Sequence, residues 1–405
     1  MDTTDVLLVG AGPTGLTVAV ALAKRGVQTT VVDALAVEAN TSRAAAVAAR
    51  TLEVLEGLDL ADRLVKGGIP AQRMSIRDAD HVLMPLDFRA LPTKYPYTLM
   101  ISQAETERLL LDRLTGLGGR VLRPKVAADL TQDGNAATVT FTDGDAFRAR
   151  YVVGADGMRS VVRTSAGIGF RGHEYPESFA LGDVRLRGDV PVDEILLFYS
   201  REGLLVVAPL PSGVYRIVAP AADAPEHPTP DFIQRLLDSR GLGPGRALVS
   251  DLVWGSHFRI HHRVADSYRS GRLLLAGDAA HVHSPAGGQG MNLGIQDAVA
   301  LAAALSRVLE GAPDAVLDAY SAQRRPIAEE VLKLTGRLTR LATLPPGLRT
   351  VRNIGMGLAS RVPTVRHDLT WRLSGLVYRS GQAPIRGMAA CANCLRTSQV
   401  SLVAR

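Results

Sequence analysis

Six residues near the N-terminus, Gly10-Ala11-Gly12-Pro13-Thr14-Gly15, constrain this chain more than any other stretch. The apolar run Asp5 to Val9 before them predicts a strand. Thr14 to Arg25, apolar at helical spacing and stopped by Gly26, predicts a helix. Gln28 to Val32 predicts a second strand, closing on Asp33. In such a βαβ unit the glycines of a G-x-G-x-x-G run serve in turn for a tight turn, for close backbone approach to a pyrophosphate, and for packing of helix on strand. The helix N-terminus adds free N–H groups and the positive end of its dipole. Asp33 stands where an acid accepts hydrogen bonds from a ribose diol. The unit predicts dinucleotide binding. The same residues exclude a signal peptide, because Asp2 and Asp5 occupy the place of a basic region and the glycines interrupt the apolar run.

The rest of the chain changes texture twice. Ser42 to Leu58 predicts a helix, Gln72 to Leu86 a pair of strands, and Ser102 to Leu114 a helix capped by Ser102 with Glu105 three residues on. Ala136 to Phe141 and Arg148 to Val153 predict strands around the Asp143-Gly144 turn. From Phe170 to Arg263, short β-rich runs between Gly and Pro turns predict an antiparallel sheet, interrupted by one helix at Pro230 to Ser239. Arg272 to Ala276 predicts a buried strand, Asn292 to Leu309 and Ala319 to Leu344 long helices, and the last sixty residues are weakly patterned. The predicted division is 1–169 with 264–344 for nucleotide binding, strands near 70–100 joining the other side, 170–263 for a substrate sheet, and 345–405 for a helical segment and tail.

Charge and cysteine content narrow the function. The net charge is +6, yet from Val331 onward there are twelve Lys or Arg and one acid, Asp368. Nucleic-acid binding wants aromatics among such charges, and only Trp371 and Tyr378 are present, so a solvated helical surface is expected. Cys391 and Cys394, the only cysteines, are spaced for a redox pair or half a zinc site, but no second pair completes the zinc site and no other thiol makes a disulfide-stapled fold, so an accidental pair in a tail is expected. No apolar stretch is long enough to span a membrane, and the cytoplasm is the expected compartment.

Two further motifs follow. Arg150 to Arg163 reads RYVVGADGMRSVVR, a strand turning at Asp156-Gly157 into a helix carrying Arg159 and Ser160. Gly271 to Leu301 reads GRLLLAGDAAHVHSPAGGQGMNLGIQDAVAL, a strand ending at Gly277-Asp278, then Pro285, then Gly287, Gly288 and Gly290 opening a long helix near Met291 and Asn292. His281 and His283 invite a metal reading, but no third ligand follows at a suitable spacing, and a packed, hydrogen-bonded role is expected.

Together the three motifs resemble the group A flavoprotein monooxygenases, the family of para-hydroxybenzoate hydroxylase, over roughly residues 5 to 340. Arg43, the segment with Arg50, Thr51 and Glu53, and Gln103 with Glu107 share the likeness. The resemblance implies an α/β fold: a FAD-binding Rossmann-like domain, an antiparallel-sheet substrate domain and a helical C-terminal segment. It implies that Gly10, Gly12, Pro13, Thr14 and Gly15 hold the FAD pyrophosphate and Asp33 the adenosine ribose. Arg43 and Gln103 would contact the pyrophosphate and ribityl region, and Val126 the adenine edge. Asp156 would support FAD and the visiting nicotinamide nucleotide, and Asp278 the ribityl chain. Pro285 would lie near the reactive flavin face. Gly288, Gly290, Met291 and Asn292 would set a helix N-terminus at the flavin pyrimidine end, where negative charge develops. Arg50 and Glu53 also admit a plain internal salt bridge.

A single dinucleotide fingerprint fits NADPH or NADH as a transient visitor. The implied cycle is reduction of FAD, oxygen addition to a C4a-hydroperoxide, and transfer of its distal oxygen to an aromatic, phenolic or polyketide-like substrate. Tyr199 and Tyr215 are the candidates for orienting or deprotonating a phenol, against ordinary packing. The chain ends at Arg405, too early for the thioredoxin-like domain of many relatives, so monomer and homodimer both stay open. A halogenase is disfavoured because Trp254 and Trp371 cannot form W-x-W-x-I-P. An epoxidase, an antibiotic-modifying oxygenase and a non-catalytic FAD-binding partner protein remain alternatives. The Ala- and Arg-rich composition is that of high-GC bacteria, in which the tailoring of aromatic natural products is frequent.

Overall fold

The computed structural model describes residues 2–37, 44–222 and 224–379, apart from the side chains of 175–177. Arg43, Cys391 and Cys394 lie outside the described residues.

The strand Asp2–Val9 is the axis of the first sheet, with Ala146–Gly154 parallel on one side and Thr29–Val32 parallel on the other. Leu273–Leu275 extends the sheet in parallel beyond Ala146–Gly154, and Val121–Leu122 extends it beyond Thr29–Val32. Val6, Leu7 and Leu8 are fully buried. A central parallel strand is covered on both faces, which is why it reads as an unbroken apolar run. The helices Pro13–Ala23 and Gly290–Leu309 pack together beside it.

The second sheet has eight strands. Its middle is the long antiparallel pair Phe170–Gly188 and Ala247–Ala265, followed by Val214–Pro220, Leu204–Leu210 and Glu194–Tyr199. The expected antiparallel pattern has one exception. The hairpin Arg73–Asp78 and His81–Asp87 joins through a parallel pairing of Arg73–Asp78 with Glu194–Tyr199. Each strand presents two faces. Tyr215, Ile217 and Ala219 point to the helix Pro230–Arg240 and form a separate apolar cluster with Phe232, Ile233 and Leu237. Val214 and Val218 pack against the main core on the other face.

One expected helix is shorter than its pattern. Among the described residues of Ser42 to Leu58, Ala46–Val47 is a strand of a small three-stranded sheet and Ala49–Glu56 is helical. The cause lies elsewhere in the chain: Ala46 and Val47 pair with Met100 and Leu99, and the Asn292 side chain binds the backbone on both sides of Val47. Tertiary partners override the helix propensity of an Ala-rich run. Conversely, the described part of the weakly patterned C-terminal segment contains the helices Pro346–Ala359 and Pro363–Leu373, each started by proline in its first turn.

Candidate cofactor site

Gly10 adopts φ +104°, and a Cβ there would stand 2.3 Å from the Ala155 carbonyl oxygen. The loop is therefore seated on the second motif. The Gly10 N–H donates to Val32 O at 2.8 Å and the Ala155 N–H to Val9 O at 2.8 Å. A Cβ on Gly15 would lie 1.9 Å from Gly10 O, so the helix Pro13–Ala23 starts hard against the turn. Gly12 is the opposite case. A Cβ there meets nothing within 4 Å. No side chain caps the helix, and no acid lies in its first turn. Open space beside an uncapped helix N-terminus fits a pyrophosphate.

Thr14 is the point of convergence. A Cβ on Gly277 would come within 2.5 Å of its hydroxyl, and one on Gly294 within 2.4 Å. Two helices and the short turn Gly277–Ala279 thus meet around one small side chain, and the exposed Asp278 is carried to the loop. Asp33 lies at the end of its strand. Its carboxylate accepts from the Ala11 N–H at 2.7 Å and the Leu35 N–H at 2.9 Å, which fixes it beside the glycine loop.

The third motif forms a second glycine turn. Gly287 and Gly288 have φ of +82° and +64°, and the Gly288 N–H donates to Pro285 O at 2.8 Å. The Gln289 amide donates to Gly287 O at 2.7 Å and Leu373 O at 3.1 Å, anchoring the turn to the C-terminal helix. The helix Gly290–Leu309 then begins without a side-chain cap and without an acid in its first turn. Pro285 is exposed, and Met291 is half-buried against the core. Asn292 is 1% exposed and its amide is fully engaged. It accepts from the Ala48 N–H at 2.8 Å and donates to Ala46 O at 2.9 Å and Gly288 O at 2.7 Å. Asn292 therefore shapes the turn through its side chain.

Several expected site residues have structural partners of their own. Asp156 accepts from the N–H groups of Val161 (2.8 Å) and Val162 (3.3 Å), holding the start of a helix. That helix is Val161–Ser165 with Ser160 as its cap, so Arg159 precedes it. Burial raises the Asp156 pKa, against the hydrogen bonds that lower it. The Val126 carbonyl accepts from the Thr142 N–H at 3.0 Å. Gln103 holds Ala44 from two sides: its N–H donates to Ala44 O at 3.0 Å and its side-chain oxygen accepts from the Ala44 N–H at 3.2 Å. Arg50 and Glu53 form the internal salt bridge, at 3.0 Å.

Neither tyrosine candidate is placed as a base. Tyr215 faces the helix Pro230–Arg240, away from the glycine loops, and donates to Val190 O at 3.1 Å. Tyr199 is buried under the Arg352 guanidinium, and burial pushes its phenol up to about 12. Tyr199→Phe and Tyr215→Phe are each expected to leave kcat nearly unchanged. A lost general base would instead cost roughly 100-fold or more. Steady-state kinetics of the two variants decides this, and a loss of that size in either one restores it as a base.

Two buried charge clusters carry residues that the sequence alone does not single out. Arg216, on the sheet face toward the core, forks onto Asp183 at 2.8 and 2.7 Å and donates to Ala44 O at 2.8 Å. It also lies over the Trp254 ring. Asp297 is fully buried, with His281 Nε2 and Arg324 Nε each 2.5 Å from its two oxygens. His283 hydrogen-bonds Ser284 O through Nδ1 at 2.9 Å, which makes that nitrogen the protonated one. Burial pushes its imidazole down to about 4, so it is neutral at physiological pH. Among the described residues no group of three or more His, Cys, Asp or Glu is placed to hold a metal ion.

Comparison with known proteins agrees with this geometry. A family model described as an FAD binding domain matches residues 3–335. The 6-methylpretetramide 4-monooxygenase of Streptomyces rimosus is 36% identical over 95% of this chain and 71% of its own length. The rifampicin monooxygenase of Streptomyces venezuelae is 37% identical over 86% of this chain and 74% of its own. Among solved structures, the anhydrotetracycline hydroxylase of Streptomyces rimosus superposes with a TM-score of 0.78 at 34% identity, covering 95% of this chain and 78% of that one. The p-nitrophenol 4-monooxygenase of Pseudomonas putida superposes with a TM-score of 0.81 at 27% identity, covering 93% and 99%. The fold, the three motifs and these relatives place the chain in the FAD-binding family of flavin-dependent monooxygenases.

Proposed function

We propose that this monooxygenase hydroxylates an aromatic, phenolic or polyketide-like small molecule, with NADPH or NADH as electron donor and O2 as oxidant. The observation that carries the reading is the meeting of two uncapped helix starts and the Gly277–Ala279 turn around Thr14. In the proposal Gly10, Gly12, Pro13, Thr14 and Gly15 receive the FAD pyrophosphate, Asp33 the ribose, and Asp278 the ribityl chain. Arg43 and Gln103 support the same stretch, and Val126 borders the adenine. Pro285, Gly288, Gly290, Met291 and the backbone of Asn292 border the ring system. FAD, held there, would supply the redox chemistry, taking hydride from NADPH or NADH and delivering one oxygen atom of O2 to the substrate while the other leaves as water. The protein's share is to orient the ring, exclude water and set a helix N-terminus where negative charge develops.

The substrate wall is the core-facing side of the second sheet. Phe179 and Phe258 stack there at 5.7 Å, and Trp254 lies beneath Arg216. Aromatic rings pack well on such a surface. The relatives named for 6-methylpretetramide, anhydrotetracycline and rifampicin support a polycyclic substrate. The proposed division assigns 1–169 and 264–344 to the cofactor, 170–263 to the substrate, and 345–405 to the C-terminal segment, in a cytoplasmic enzyme.

The test is a visible spectrum followed by aerobic NADPH and NADH oxidation with a panel of phenols and polycyclic quinones. A flavin spectrum, oxidation accelerated by one panel member, and a product heavier by one oxygen atom establish the reading. Yellow protein that neither nucleotide reduces, with any panel member, overturns it in favour of a non-catalytic FAD-binding role.

A further inference from the structure

The helix Pro346–Ala359 is turned inside out. Its only buried residues are Arg352 and Asn353. Arg352 donates to Tyr199 O at 2.7 Å and Leu341 O at 3.0 Å. Asn353 donates to the Asp78 carboxylate at 2.8 Å and to Tyr199 O at 3.0 Å. The polar side thus holds the helix to the second sheet, and Leu348, Val351, Ile354 and Leu358 face away, each between 52% and 66% exposed. Their spacing keeps them within about one third of the helix circumference. Leu341, Val362 and Val365 are exposed as well, so half of the exposed large hydrophobics among the described residues fall between 341 and 365. Scattered exposed apolar residues are ordinary; a concentration of this kind marks a contact surface.

The charges around it select the partner. From Val331 to Arg379 there are nine Lys or Arg and one acid; Arg352 is turned inward, and Lys333, Arg372 and Arg379 pair with Glu330, Asp368 and Glu53. Arg337, Arg340 and Arg361 are exposed. A second copy docking by two-fold symmetry would set like charges against like, which costs free energy. An anionic lipid surface complements both features, as for helices that lie in the membrane interface with an apolar stripe and a basic margin. Among the described residues no helix is long and apolar enough to cross a membrane, which is a separate matter from lying on one.

We propose that the outward face of Pro346–Ala359, with its basic surroundings, docks peripherally on an anionic membrane surface. The full chain is tested by flotation with vesicles of phosphatidylcholine alone and of phosphatidylcholine mixed with phosphatidylglycerol. Binding is expected only with phosphatidylglycerol, and is expected to weaken near ~1 M salt, where screening acts within about 3 Å. The Val351→Glu/Ile354→Glu double variant is expected to bind at least about tenfold more weakly. Its FAD content and Tm should be unchanged, because both side chains point outward. Arg361→Glu should weaken binding in the same direction. Absence of binding to either vesicle overturns the proposal. So does a dimer by light scattering that the double variant converts to a monomer, which would assign the face to a second copy.

Discussion

Gly15→Ala is expected to purify without bound flavin. The new Cβ would stand 1.9 Å from Gly10 O, and Gly10 itself lies against the second motif, where even a methyl on it would stand 2.3 Å from the Ala155 carbonyl oxygen. Relief requires moving the turn, the helix start, or the second motif behind them. Overpacking against rigid backbone costs about 1–3 kcal/mol or more. A loss of about 3 kcal/mol from cofactor binding is more than 100-fold in Kd. The ratio of flavin to protein absorbance and a titration of apoprotein with FAD both read this. Gly12→Ala is the control that separates fold from cofactor. Its Cβ meets nothing in the protein, so the apoprotein should melt where the parent does, yet FAD affinity should fall because the methyl enters the space assigned to the pyrophosphate. Unaltered FAD affinity in Gly12→Ala would show that the phosphates pass elsewhere.

The largest effect on stability is expected at Asp297. Asp297→Ala leaves the buried His281 and Arg324 without their shared carboxylate, and breaking a buried pair in this way costs about 3–5 kcal/mol. Tm should fall on the order of 10 °C. The pH dependence has a definite sign. Burial alone would raise the Asp297 pKa, but Arg324 and His281 outweigh it and hold it below 3.8. A group depressed in the folded state contributes stability that is fully present above its unfolded value and is lost as pH falls through its folded value. The parent should therefore lose this contribution only in acid below the ordinary carboxylate range, and Asp297→Ala should lack it throughout. Thermal melts of both proteins from neutral pH downward measure the difference. Equal slopes in acid would mean that Asp297 does not carry the linkage.

What could be read from the sequence was local. The glycine loop, its flanking strands and Asp33 lie within one short stretch, and the role of each residue follows from its neighbours. The same holds for Ser102, whose hydroxyl accepts from the Glu105 N–H at 3.1 Å as the spacing implied. The helix expected over Ser42 to Leu58 is cut short for a distant reason, because Asn292 supplies the hydrogen bonds that pull Ala46 and Val47 into a strand. The β-rich runs between Phe170 and Arg263 are legible in the sequence, but not which face of each turns inward. Tyr215 and Arg216 are neighbours in sequence, and the structure sends the first to the outer helix and the second to Ala44. Asp183 and Arg216 carry no motif; they meet only because two strands align in register. The inverted polarity of Pro346–Ala359 is equally hidden, since that segment is weakly patterned in sequence and its inward side is set by Arg352 and Asn353 meeting Tyr199 and Asp78.

The convergence on Thr14 also sets an order of events during synthesis. The glycine loop leaves the ribosome first, but the backbone it packs against, at Gly277 and Gly294, is made long afterwards. Between the two, the chain builds nearly all of the second sheet and only then returns with Leu273–Leu275 to finish the first. A nascent chain halted before that return has its fingerprint in full and no completed cradle. With FAD seated as proposed, cofactor capture waits until the second sheet is already in hand, and an N-terminal fragment ending before Gly277 is expected to retain no flavin.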